Sequence, residues 1–137
     1  MQPPYLAILA AAIASWIFGA VWYGVFGRAW AAGLDLLRAD AAEGSRSSPP
    51  VFALALSFVA ELVMSAMLAG ALIHFAGAQF SMKAALAAGA LAWLGFIAPT
   101  IVTNYAYQGR PWAVSAIDGG HWLGVTLIQA ATLALIV

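Results

Sequence analysis

The stretch VFALALSFVAELVMSAMLAGALIHFA, residues 51–76, decides the fold. It contains a single acidic or basic side chain other than histidine, Glu61. A helix that crosses a membrane needs about 20 consecutive, mostly apolar residues, and this run exceeds that. Only a helix satisfies its own backbone where no water is present. Working outward, three more runs of spanning length appear at 4–26, 82–105 and 113–136. The alternation expected of barrel strands is not visible. The reading is an all-α integral membrane protein, residues 1–137 as one domain, with four transmembrane helices in an up-down bundle.

Composition agrees. Of 137 residues, 65% are hydrophobic and 7% charged, against about 25% charged in a soluble domain. Net charge is zero, so no basic footprint for nucleic acid exists. Cysteine is absent, which excludes disulfides, thiol catalysis and thiolate metal ligands. The first apolar run has no basic residue before it and is too long for a signal-peptide core, so it reads as a retained helix. No Gly-rich phosphate loop or nucleophile elbow is present, and no cofactor is expected.

One segment occurs twice. Residues 22–31 read Trp22-Tyr23-Gly24-Val25-Phe26-Gly27-Arg28-Ala29-Trp30-Ala31, and 104–113 read Asn104-Tyr105-Ala106-Tyr107-Gln108-Gly109-Arg110-Pro111-Trp112-Ala113. Tyr, Gly, Arg, Trp and Ala coincide at five aligned positions. Both copies sit where an apolar run turns polar. Trp22, Tyr23, Arg28, Trp30, Arg110 and Trp112 therefore read as interface anchors. The pair is either a parallel duplication of a helical hairpin or two independent interface sequences.

The connection 27–50 is the longest polar segment. Trp30, Leu34, Leu37 and Ala41 share one helical stripe, which suggests a short interfacial helix. Residues 44–50, Gly-Ser-Arg-Ser-Ser-Pro-Pro, form a linker. The short turn at Gly77-Ala78-Gln79 makes helices two and three expected antiparallel neighbours. Ser81 is a candidate N-cap, and Pro99 should interrupt helix three. In helix one, Ala12, Ser15, Gly19, Tyr23, Phe26 and Trp30 recur along one side.

Polar residues inside the spans carry the functional reading, because ionisable groups there are costly and are functional candidates by default. Glu61 lies near mid-membrane, with Ser57 and Ser65 one turn to either side. Asp118, His121, Val125, Gln129 and Thr132 share one face of helix four. Measured from the same membrane side, Glu61, Asp118 and His121 fall at similar depths, with Asn104 and Tyr105 close by. Three readings follow. The five are candidate residues for binding or moving a proton, cation or small solute, with Glu61 exchanging a proton and His121 relaying it. Alternatively, they only tie helices together in a structural or partner-binding subunit. Third, Glu61, Asp118 and His121 hold a metal in a membrane enzyme, although Asp-x-x-His alone is a weak motif. His74 reads as interfacial.

Helix alternation puts 27–50 and 106–112 on one side, with Arg28, Arg38, Arg46 and Arg110. The other side has Lys83 and the amino terminus. Basic loops mark the cytoplasm, so both termini are expected outside it. Four helices make a thin bundle, so a homo-oligomer in the lipid bilayer is the expected partner state.

The combination Trp22-Tyr23-Gly24, Gly27 and Trp30, then Gly109-Arg110-Pro111-Trp112 and Ile117-Asp118-Gly119-Gly120-His121, resembles the bacterial family labelled domain of unknown function 1761. The resemblance covers nearly the whole chain. It implies a small four-helix protein of the bacterial cytoplasmic (inner) membrane and no assigned activity or site residues.

Overall fold

The computed structural model describes residues 4–35, 51–77 and 80–137. These fold into α1 (Tyr5–Asp35), α2 (Val51–Ala76), α3 (Met82–Ala92), a π-helical turn (Trp93–Ile97), α4 (Ala98–Tyr107) and α5 (Trp112–Ile136). The π turn joins α3 and α4 into one span, so four helices are long and apolar enough to cross a membrane.

Local sequence explains the element ends. α1 begins directly after Pro4, whose carbonyl accepts from the Ile8 amide. Ser81 caps α3 by accepting from the Ala84 amide at 3.2 Å, as its position predicts. Pro99 falls in the first turn of α4. The π turn lies just ahead of it, and within that turn the chain changes register so that the Ala98 amide bonds the Trp93 carbonyl. Thr100 then donates its hydroxyl to the Phe96 carbonyl, one turn back in its own helix, at 2.5 Å.

Two expectations change at the ends and in the packing. α1 does not stop at 26. It continues to Asp35, so the first turns of the expected interfacial helix are a continuation of the span. The rest of that segment, and the linker at 44–50, lie outside the described residues. Helices two and three are also poor neighbours, touching little beyond their turn. The principal packing is α5 against α1 on one side and α3 on the other, with α2 against α1.

The reason lies in side-chain chemistry. α5 is the least apolar span, with a mean hydropathy of 1.3 against 1.9 to 2.2 for the others. It buries Asp118, His121, Thr126 and Gln129. Polar groups removed from water must find partners, so α5 takes the centre. Its neighbours supply small residues. Ala7, Ala11, Ala12 and Ser15 of α1 and Ala85 and Gly89 of the third span are buried. A Cβ on Gly89 would lie 2.8 Å from the Thr126 carbonyl, so this contact closes only over a glycine. α2 and the third span remain largely exposed, with outward Val59, Val63, Met67, Leu91 and Leu94.

Candidate functional site

Asp118 lies two turns into α5, and three side chains from two helices reach it. Tyr23 donates its hydroxyl to Oδ1 at 2.5 Å. Trp30 donates its indole N–H to Oδ2 at 3.2 Å, and Tyr105 donates to the same oxygen at 2.8 Å. Tyr23 and Trp30 are separated by seven residues of a continuous helix, hence two turns on one face. Tyr105 arrives from α4 on the other side of α5.

Two further indoles grip the backbone beside the carboxylate. Trp22 donates to the Ile117 carbonyl at 3.1 Å. Trp93, on the π turn, donates to the Gly119 carbonyl at 2.8 Å. Gly120 makes room for one of them. A Cβ on Gly120 would stand 2.9 Å from the Trp22 ring. The Arg110 guanidinium lies 4.5 Å above the Tyr105 ring, a favourable cation–π placement. Its Nε donates to the Gln108 side-chain oxygen at 2.7 Å.

His121, one turn further along α5, is buried among aromatic rings. It stacks on Phe18 at 6.1 Å and meets Tyr23 at 5.0 Å. Its ring closes over Gly19, where a Cβ would lie 2.9 Å from Nε2. Its Nδ1 is buried and has no hydrogen-bond partner among the described residues.

Glu61 belongs to a second cluster. Its Oε2 accepts from the Ser15 hydroxyl at 2.5 Å. Gln129 donates from Nε2 to Ser15 Oγ and to the Glu61 carbonyl, both at 3.0 Å. Ser65 donates to the Ile8 carbonyl, and Trp16 donates to Ser57. Both serines flanking Glu61 thus face α1. The Gln129 side-chain oxygen is buried without a partner among the described residues.

The expected trio is therefore split. Asp118 and His121 share one layer, but Glu61 sits with Gln129, eight residues past His121 and roughly 12 Å further along α5. Between the layers lie buried Val125 and the Phe18 ring against Gly124. Glu61, Asp118 and His121 do not converge as the metal reading required. Tyr105 joins the Asp118 layer. Asn104 faces outward.

The anchors divide as well. Arg28 and Trp112 are exposed, as interface anchors would be. Trp22, Tyr23 and Trp30 instead turn inward onto α5. Trp93 and Trp16 escaped the sequence reading altogether. The available signal was chemical: an indole N–H buried in an apolar span needs an acceptor, and each of these two finds one.

The fold and this site define a small multi-pass membrane protein, a helical bundle closed around one polar helix. Residues 6–134 match the family described as protein of unknown function DUF1761, and the chain belongs to that family. No curated protein matches the chain significantly, and no solved structure does so either.

Proposed function

We propose that this chain is a partner-binding subunit of the membrane whose buried polar residues hold its own helices together and leave its outer faces to make associations. The observation that carries this reading is the engagement of both Asp118 oxygens, which accept three donors from α1 and α4. A carboxylate held this way resembles a rivet more than a vacant binding site. Glu61 supports it, being 2% exposed and bonded to Ser15. The apolar layer at Val125 and Phe18 separates the two clusters. At the far end of α5, Ala69, Leu72, Ile73, Phe80, Leu133 and Val137 line an apolar crevice with no room for a water molecule.

A second reading, binding or movement of a proton, cation or small solute, draws on His121 Nδ1 and Gln129 Oε1. Buried polar atoms without partners call for an explanation, and water or a ligand would supply one. The enzyme reading ranks third. The arginine distribution supports a place in the bacterial cytoplasmic membrane with both termini outside the cytoplasm. Single cysteines at the termini, probed in intact cells with a membrane-impermeant thiol reagent, test that orientation.

The functional test is flux. Purified protein reconstituted in vesicles with a trapped pH dye should relax an imposed proton or potassium gradient no faster than protein-free vesicles. A flux that Glu61→Gln or Asp118→Asn abolishes would overturn the subunit reading in favour of transport.

A further inference from the structure

We propose that the outward face of α4 is the contact surface for a second copy of this chain, with Asn104 paired to its two-fold mate. The inference rests on the subunit reading above and names the partner.

The observation is a contrast in chemistry. Away from their ends, α1, α2 and α5 present Val, Leu, Ile, Phe, Met and small residues to the outside, as lipid requires. α4 departs from this. Thr100, Thr103, Asn104 and Tyr107 are all exposed and fall within about 100° of arc at 3.6 residues per turn. α5 contacts the opposite side, where Ile101 and Tyr105 are partly buried. The strip lies within the last two turns of the third apolar span, Met82–Tyr107. Tyr23 and Tyr105 meet at Asp118, so Asn104 lies at the depth of Trp22, inside the α1 span, and Thr100 is a turn deeper.

The Asn104 amide and the Thr103 hydroxyl have no hydrogen-bond partner among the described residues. Thr100, by contrast, is satisfied by the Phe96 carbonyl. An amide facing hydrocarbon without a partner is unfavourable. A side-chain amide is also its own complement, because it carries both donors and acceptors. A two-fold contact places the same residue of each copy near the axis, so Asn104 can satisfy Asn104. Charge gives no reason to look for a different partner. α4 has no ionisable side chain apart from its tyrosines, and Arg110 beyond it is occupied by Tyr105 and Gln108. Ala106, also exposed, lets a second helix approach closely.

The chain contains no cysteine, which makes the experiment clean. Single-cysteine variants Thr103→Cys on α4 and Met67→Cys on the exposed apolar face of α2 are oxidised in native membranes. Thr103→Cys should give a covalent dimer, and Met67→Cys should not. In detergent, Asn104→Leu should weaken the dimer dissociation constant by about tenfold, the scale of one interhelical side-chain hydrogen bond. Asn104→Gln, which keeps the amide, should recover most of the association. All these positions are exposed, and far-ultraviolet circular dichroism confirms helix content in each variant.

Equal cross-linking at both sites, or a dissociation constant unmoved by Asn104→Leu, would overturn the proposal. So would a disulfide forming within one chain between Asn104→Cys and Ser47→Cys, which would assign the strip to the chain's own connection. A monomer that conducts nothing removes the dimer and leaves the subunit reading standing. A flux lost in Glu61→Gln removes the subunit reading whatever the oligomeric state.

Discussion

The two copies of the repeated segment have the same Tyr, Gly, Arg, Trp and Ala at matching positions, yet their backbones differ. In the first copy, residues 22–31 lie wholly inside α1. In the second, α4 ends at Tyr107, Gly109 takes a left-handed φ of 64°, and α5 starts at Trp112. The aligned position that explains the divergence is 29 against 111, alanine in one and proline in the other. Proline lacks an amide hydrogen and clashes with the preceding turn, so it opens a helix readily and continues one poorly. The consequence reaches the tryptophans. Trp30, carried on by an unbroken helix, turns in to Asp118, whereas Trp112 is 71% exposed. The tyrosines precede the divergence, and both reach the same carboxylate. A repeat in sequence thus yields a repeated contact only as far as the backbone remains common.

The largest effect should come from removing what the copies share. Asp118→Leu strands Tyr23, Trp30 and Tyr105 together. At about 1–3 kcal/mol for each buried donor left unpaired, the loss should be on the order of 3–5 kcal/mol, read as a lowered unfolding midpoint in mixed micelles. Next comes transplanting the difference. Ala29→Pro places the second copy's proline in the first, and should destabilise by about 3 kcal/mol. It should also alter tryptophan fluorescence as Trp30 leaves Asp118. An unchanged midpoint would show that α1 is not a continuous helix there.

Smaller effects sharpen the tyrosine contact. Tyr23→Phe and Tyr105→Phe should each lose about 1–3 kcal/mol, the range for a buried polar group that loses its hydrogen-bond partner. Because they bond the two oxygens of one carboxyl group, a double-mutant cycle should depart from additivity by more than about 0.5 kcal/mol. Additive losses would mean that the two hydroxyls act independently. The smallest contrast is between the glycines. Gly109→Ala meets a left-handed backbone and should cost about 1–2 kcal/mol. Gly27→Ala, helical and with open space around it, should be neutral or stabilising by up to about 1 kcal/mol.

These comparisons show which features the amino-acid sequence makes legible. The four spans follow from run length and apolarity, and the structure keeps them. The polar stripe of α5 is also readable: Asp118, His121, Val125 and Gln129 are buried as their common face requires, while Thr132 at its end is half-buried. What the sequence conceals is the axial stagger between helices. Counting from the helix starts places Glu61 beside His121. In the structure Glu61, ten residues from Val51, sits with Gln129, seventeen residues from Trp112. α2 is therefore displaced by seven residues, or roughly 10 Å, a quantity set by how the side chains of α1 mesh with both partners. The facing of aromatics is concealed for a different reason. A tryptophan at a span's end has the same composition signal whether it floats at the headgroups or reaches inward, and only the acceptor it finds decides. At Trp30 that acceptor is on a helix 88 residues away.

The central position of α5 has a consequence for how the molecule is made. A chain enters the membrane from its amino-terminal end, so α5 follows the other three spans. It is the span that lipid alone would receive least willingly, and it carries Asp118, His121 and Gln129 into the apolar layer. By then α1 and α4 have been made, and they carry the Tyr23, Trp30 and Tyr105 donors that Asp118 accepts in the folded bundle. For this helix, insertion and folding become a single event. A fault in α1 would then be felt as a failure of α5 to cross, in a part of the chain nearly ninety residues further on.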